Sequence, residues 1–234
     1  MNNENALLRL MNIRGDEARA VFMLIAFSFF TGLTLSFYFT ASNALFLKYF
    51  DSKMIPVSFI ASGVLIYLSW LVFSRLDARM NFKNQVSLKM LFVFVTVALL
   101  TAGVYYLPSS WLIFILYTWV RVVVFVTLVT FWGIAGRLFN LRQGKRIFGL
   151  ITTGEVVSII IGYFSIPLLL RFLKAPDLLL LASVTLLLCL VMARWILLSF
   201  STLMGGNTHN ANAALKEAKT NTSYLKLIRK PYFS

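Results

Sequence analysis

The sequence predicts an all-α membrane protein of six transmembrane helices. Three observations lead to that class. Six apolar runs each approach the roughly 20 residues needed to cross a hydrocarbon core of about 30 Å. The 234-residue chain is 59% apolar with 22 Phe and a mean hydropathy of +0.82, well above the roughly 45–50% apolar content of soluble domains. Its basic residues gather in alternate loops. The runs lie near residues 20–39, 55–73, 90–107, 111–134, 147–170 and 178–200. The bundle therefore takes up residues 1–200, and residues 201–234 are left as a cytoplasmic linker.

Net charge is +14, from 22 basic and eight acidic residues. Arg9, Arg14 and Arg19 precede span one. Arg75, Arg79, Lys83 and Lys89 lie between spans two and three, and Arg137, Arg142, Lys145 and Arg146 between four and five. Lys216, Lys219, Lys226, Arg229 and Lys230 follow span six, whereas the other side holds only Lys48, Lys53, Arg171 and Lys174. The positive-inside rule then places both termini in the cytoplasm. Basic loops beside spans also attract anionic membrane lipids, so topology and lipid contact account for the excess and no nucleic acid is called for.

Span one follows a polar stretch, and its apolar run exceeds the roughly 7–15 residues of a signal-peptide core, so it is expected to remain as a helix. Thr34, Tyr38 and Ser42, with Thr31 nearby, form a polar lane on it. That lane either lines a cavity or hydrogen-bonds its own backbone. Spans two and three flank a loop expected over residues 74–89, and the tight turn 108–110 makes spans three and four neighbours. A second inner loop is expected over residues 135–146.

Arg121 lies near the middle of span four, where a charge costs about 2.5–3.5 kcal/mol on insertion scales and so faces an interior. Tyr117 and Phe125, one turn away on either side, share its face. A cation beside aromatic rings suits an anionic substrate. Glu155, in span five, is within reach of Arg121 and is expected to form an intramembrane ion pair with it. That pair either neutralises two buried charges and locks spans four and five together, or yields Arg121 to a substrate anion and links binding to rearrangement. Gly154, Ser158 and Gly162 repeat every four residues and read as a packing stripe that lets another backbone come close.

In span six the lone Cys189 excludes an intrachain disulfide and reads as a packed small residue. Arg194 is placed to snorkel to the inner interface. Beyond it, a Gly- and Asn-rich stretch leads to an amphipathic segment over residues 224–230, and the final Pro231-Tyr232-Phe233-Ser234 resembles the start of a further element. The sequon Asn221-Thr222-Ser223 would be inert in the cytoplasm.

Several chemistries find no support. Gly144-Lys145 is not a phosphate loop, because Phe139 stands where the first glycine is needed and Arg146 replaces Ser or Thr. His209 has no second His or Cys at ligand spacing. There is no nucleophile triad or dinucleotide fingerprint, so no catalytic residue, cofactor or metal is expected.

Six spans with both ends inside, followed by a basic linker, resemble the N-terminal half of a major facilitator superfamily transporter. More specifically, Phe131-Trp132-Gly133-Ile134-Ala135, then Arg142-Gln143-Gly144-Lys145-Arg146 and Phe148-Gly149-Leu150-Ile151, resemble the corresponding stretch of bacterial ATP/ADP translocase-like carriers. Leu45-Phe46-Leu47 with the following Pro56 is similar too, and Asp77 and Arg79 resemble part of the general superfamily signature between spans two and three. The resemblance implies a bacterial inner-membrane protein, a second six-helix half in the same or another chain, and alternating access around a midplane site. Three plus three spans meet the parity that an inverted-topology repeat requires. The expected function is secondary transport of an anionic solute such as a nucleotide, with Arg121, Glu155, Tyr117 and Tyr38 as substrate-binding residues. The alternative is a transporter-like module that does not transport and anchors or regulates attached cytoplasmic domains; an enzyme acting on lipid comes third.

Overall fold

The computed structural model of the chain describes residues 15–107 and 109–200, which are helical and contain no strand. The expectations for Arg9, Arg14, Pro108, His209, the sequon and the amphipathic linker lie outside the described residues. The helices are α1 (Gly15–Tyr49), α2 (Ile55–Asp77), α3 (Phe82–Tyr106), α4 (Ser110–Leu138), α5 (Leu141–Leu169) and α6 (Asp177–Ser199), with a short 3-10 turn at Ser52–Met54 before α2. All six are long and apolar enough to cross a membrane. Helix is the form such runs must take, because in hydrocarbon every backbone N–H and C=O needs a partner within its own segment.

Several helix boundaries lie beyond the sequence expectation. α1 continues past residue 39 to Tyr49, because Tyr38, Ala41, Leu45 and Phe46 keep one apolar face buried to the helix end. The α2–α3 and α4–α5 connections are also shorter than expected, breaking the helix only at residues 78–81 and 139–140. The basic residues assigned to loops therefore ride mostly on helix ends. The α4–α5 break is held by a capping box. The Asn140 side chain accepts from the backbone of Gln143, and the Asn140 N–H donates back to Gln143 Oε1 at 2.8 Å. In the α2–α3 turn, Gln85 Nε2 donates to the carbonyls of Asp77 and Met80, both at 2.8 Å, and Lys89 pairs with Asp77 at 2.6 Å.

α1 is the central helix. It packs against α5, α6 and α4; α4 in turn meets α2 and α3, and α3 meets α6. In the most apolar stretch of α1 56% of residues are buried, against 11% for α2, so α2 lies at the periphery. The expectation that α4 and α5 lock together is corrected: their principal contacts are both with α1 instead.

The α1–α5 contact is the closest in the bundle, and its cause is the predicted stripe. A Cβ on Gly154 would lie 2.4 Å from the Ile25 carbonyl oxygen, and one on Gly162 would lie 2.6 Å from Ser36 Cβ. The facing glycine on α1 is equally constrained, since a Cβ on Gly32 would meet Ser158 Oγ at 2.0 Å and the Glu155 carbonyl at 2.6 Å. Small residues on both helices thus let the backbones meet. Ser28 Oγ crosses the seam to donate to the Ile151 carbonyl at 2.7 Å. At the basic end, buried Glu17 pairs with Arg146 and accepts from Gln143 Nε2 at 2.6 Å.

Candidate substrate site

The site is built where α2 leans on α4. Ser58 and Ser62, one turn apart on α2, are both buried against α4. Ser62 Oγ donates to the Ser58 carbonyl at 2.6 Å and lies 3.1 Å from the Thr118 carbonyl, which fixes the register of the two helices. Its oxygen faces Arg121 Nη1 at 3.5 Å, a weak contact longer than the roughly 2.7–3.2 Å of an ordinary N–H···O bond. Arg121 Nη1 also donates to the Tyr117 carbonyl of its own helix at 3.3 Å.

Aromatic rings hold the rest of the guanidinium. Its central carbon lies 3.7 Å from the centroid of the Phe59 ring and 5.0 Å from that of Tyr117, contacts worth about 2 kcal/mol where water is excluded. Tyr117 is itself buried and stacks on Phe46 at 4.1 Å with a 21° interplanar angle. Phe46, Tyr117 and Phe59, from α1, α4 and α2, therefore make a shelf under the cation. Among the described residues no carboxylate lies within ion-pair distance of Arg121. Guanidinium carries five N–H donors in a planar fork, and only Nη1 is engaged here. A half-buried cation with Nε and Nη2 unengaged, set between ring faces, is chemically disposed to take a bidentate oxyanion.

No protein-family model, curated protein or solved structure matches this chain. The functional reading therefore stands on geometry and on the sequence motifs.

The structure brings two of the four candidate residues together, Arg121 and Tyr117. Tyr38 is wholly buried, and its hydroxyl donates to the Leu116 carbonyl at 3.3 Å. It braces α4 one residue before Tyr117. Glu155 stands apart, and the expected ion pair with Arg121 is not formed. Glu155 lines a narrow crevice with Ser28, Thr31 and Leu35 of α1 and Val124, Thr127, Leu128 and Phe131 of α4. The middle of that crevice lies about 10 Å along α4 from Arg121 at 1.5 Å per residue, and α1 packs between α4 and α5. Phe59, on α2, supplies the close ring under Arg121 that was expected of Phe125.

Phe59 and Ser62 were not singled out from the sequence. The signal for them is the Ser58–Ser62 pair at i, i+4 in an otherwise apolar span, a polar edge that belongs against another helix. The α1 lane does both: Thr31, Thr34 and Ser42 bond their own backbone while Thr31 also lines the crevice, and Tyr38 bonds across to α4. Thr31 Oγ1 donates to the Phe27 carbonyl at 2.9 Å and Ser42 Oγ to the Phe39 carbonyl at 3.0 Å. Thr34 Oγ1 lies 2.9 Å from both the Phe30 carbonyl and Thr185 Oγ1 of α6. Cys189 is buried, 3.7 Å from Thr31 Oγ1, as the packing reading requires. Arg194 is exposed.

Proposed function

We propose that this chain is the N-terminal half of a secondary transporter of the major facilitator type, moving an anionic solute, a nucleotide or other organic phosphate, through the bacterial inner membrane. The observation that carries the reading is Arg121: a midspan guanidinium held by ring faces, a hydroxyl and a carbonyl, with no acidic partner among the described residues. An intramembrane charge kept without a counter-ion is costly, and a bound oxyanion supplies what it lacks. Phe59, 54% exposed, offers a ring face beside that cation on which the flat base of a nucleotide can stack.

Helix pairing supports the inverted repeat. Exchanging α1 with α4, α2 with α5 and α3 with α6 carries the α1–α5 contact onto α4–α2 and the α1–α6 contact onto α4–α3. The same exchange carries α1–α4 and α3–α6 onto themselves. Two triplets related in this way are the half-unit that rocks against a second half around a midplane site. That second half, in the same or another chain, would face Arg121. The charge asymmetry between loops supports cytoplasmic termini.

The test is uptake of labelled nucleotides and organic phosphates into proteoliposomes holding this chain together with its second six-helix half. Arg121→Ala is expected to lower uptake at least about tenfold, as loss of a charge-assisted contact worth about 1.5–3 kcal/mol requires. Undiminished uptake by that variant removes Arg121 from the mechanism. No flux of any anion through well-folded protein turns the reading to the non-transporting module.

A further inference from the structure

Glu155 differs from Glu17, Asp51, Asp77 and Asp177. Glu17 holds Arg146 and Gln143. Asp51 accepts from Ser52 Oγ at 3.0 Å, Asp77 pairs with Lys89 at 2.6 Å, and Asp177 accepts from Tyr105 and from the Lys174 N–H. Among the described residues, the Glu155 carboxyl has neither a hydrogen-bond donor nor a cation beside it, although Glu155 is half-buried within a membrane-spanning helix.

The lining of its crevice explains what it can bind. Three hydroxyls border the crevice, those of Ser28, Thr31 and Thr127. Each hydroxyl has a single proton, and each proton is already directed to a backbone carbonyl. Ser28 donates to Ile151 at 2.7 Å, Thr31 to Phe27 at 2.9 Å and Thr127 to Val123 at 2.7 Å. The lining therefore offers oxygen lone pairs and no donor. A carboxylate gains nothing from such walls, whereas a carboxylic acid brings its own proton and finds acceptors. The remaining groups are apolar: Leu35 from α1, and Val124, Leu128 and Phe131 from α4. The Cys189 thiol of α6 lies 3.7 Å from Thr31 Oγ1, and Arg121 stands about 10 Å along α4 from the middle of the crevice, within one turn of its lining residue Val124.

We propose that Glu155 is a proton-binding site: its carboxyl takes up one proton as a neutral acid in the α1–α4–α5 crevice and releases it when the crevice is wetted, making the proton the coupling cation of transport. The coupling clause rests on the transport reading; the proton site does not.

Infrared difference spectroscopy of the full chain in lipid bilayers, recorded across a pH titration, tests the site. The expected result is a protonated-carboxyl stretch that gives way to carboxylate bands as pH rises, is absent in Glu155→Gln and persists at shifted frequency in Glu155→Asp. It should not change when Na+ replaces K+. A wild-type spectrum identical to that of Glu155→Gln at every pH overturns the proposal, and so does conversion to carboxylate by Na+ at constant pH, which would make this a metal-cation site. In proteoliposomes, an imposed proton gradient should accelerate anion uptake by the wild type and leave Glu155→Gln unaffected. Acceleration that survives Glu155→Gln overturns the coupling role. A titrating Glu155 band in a protein that moves no anion contradicts the transport reading and leaves the proton site standing.

Discussion

The α1–α5 seam and the α1–α4–α2 shelf are two helix contacts in the same membrane, built on opposite terms. At the seam, Gly32, Gly154, Ser158 and Gly162 bring backbones together, Ser28 bonds across, and the Glu17–Arg146 pair closes the basic end. At the shelf, α2 rests on α4 through Ser58 and Ser62 while most of its surface stays uncovered. Here a guanidinium lies on rings with Nε and Nη2 unengaged. The tight seam spends its polar groups on its own structure. The loose contact keeps donors in reserve, and sites that bind and move are drawn from such weakly packed regions.

Substitutions can break this comparison in order of expected effect. Arg146→Ala comes first, because it leaves the buried Glu17 carboxylate with Gln143 as its remaining partner; stability should fall by about 3 kcal/mol, read as the shift in unfolding midpoint in mixed detergent micelles. Gly32→Val should cost about 2–3 kcal/mol in the same assay, since its Cβ alone would overlap Ser158 Oγ and the Glu155 carbonyl. Ser28→Ala removes one cross-helix hydrogen bond and should cost about 1 kcal/mol. On α2, Gly63→Ala is the counterpart: a Cβ there meets nothing within 4 Å, and stability should move by less than about 0.5 kcal/mol. If Gly63→Ala proves as damaging as Gly32→Val, the distinction between seam and shelf is wrong.

Much of the fold was legible because membrane crossing leaves a strong mark: length and hydropathy locate six spans, and the four-residue repeat around Glu155 announces a close helix contact. Its partner was written in the same code, as Ser28, Gly32 and Ser36 on α1. The tight turn after α3 announced the α3–α4 contact, but the other helix pairings were not revealed. Order along the chain makes α4 and α5 consecutive, yet α1 packs against both, and with it goes the Arg121–Glu155 pairing. Arg121 itself stood out because a charge in an apolar span is rare. Phe59 did not, because one Phe among 22 has no signature until α2 is set against α4. Helix ends were misplaced for a related reason: hydropathy reports where lipid ends, whereas hydrogen bonding carries α1, α2 and α4 beyond it.

The central claim is that Arg121 holds an anion. It is tested most directly by thermal unfolding of the purified full chain in detergent against a panel of nucleotides, organic phosphates and carboxylates, with Arg121→Ala in parallel. The account predicts that at least one anion stabilises the wild type, by about 2.7 kcal/mol at roughly 100 times its Kd, and leaves the variant unmoved. Equal stabilisation of both proteins, or none across the panel, would contradict it.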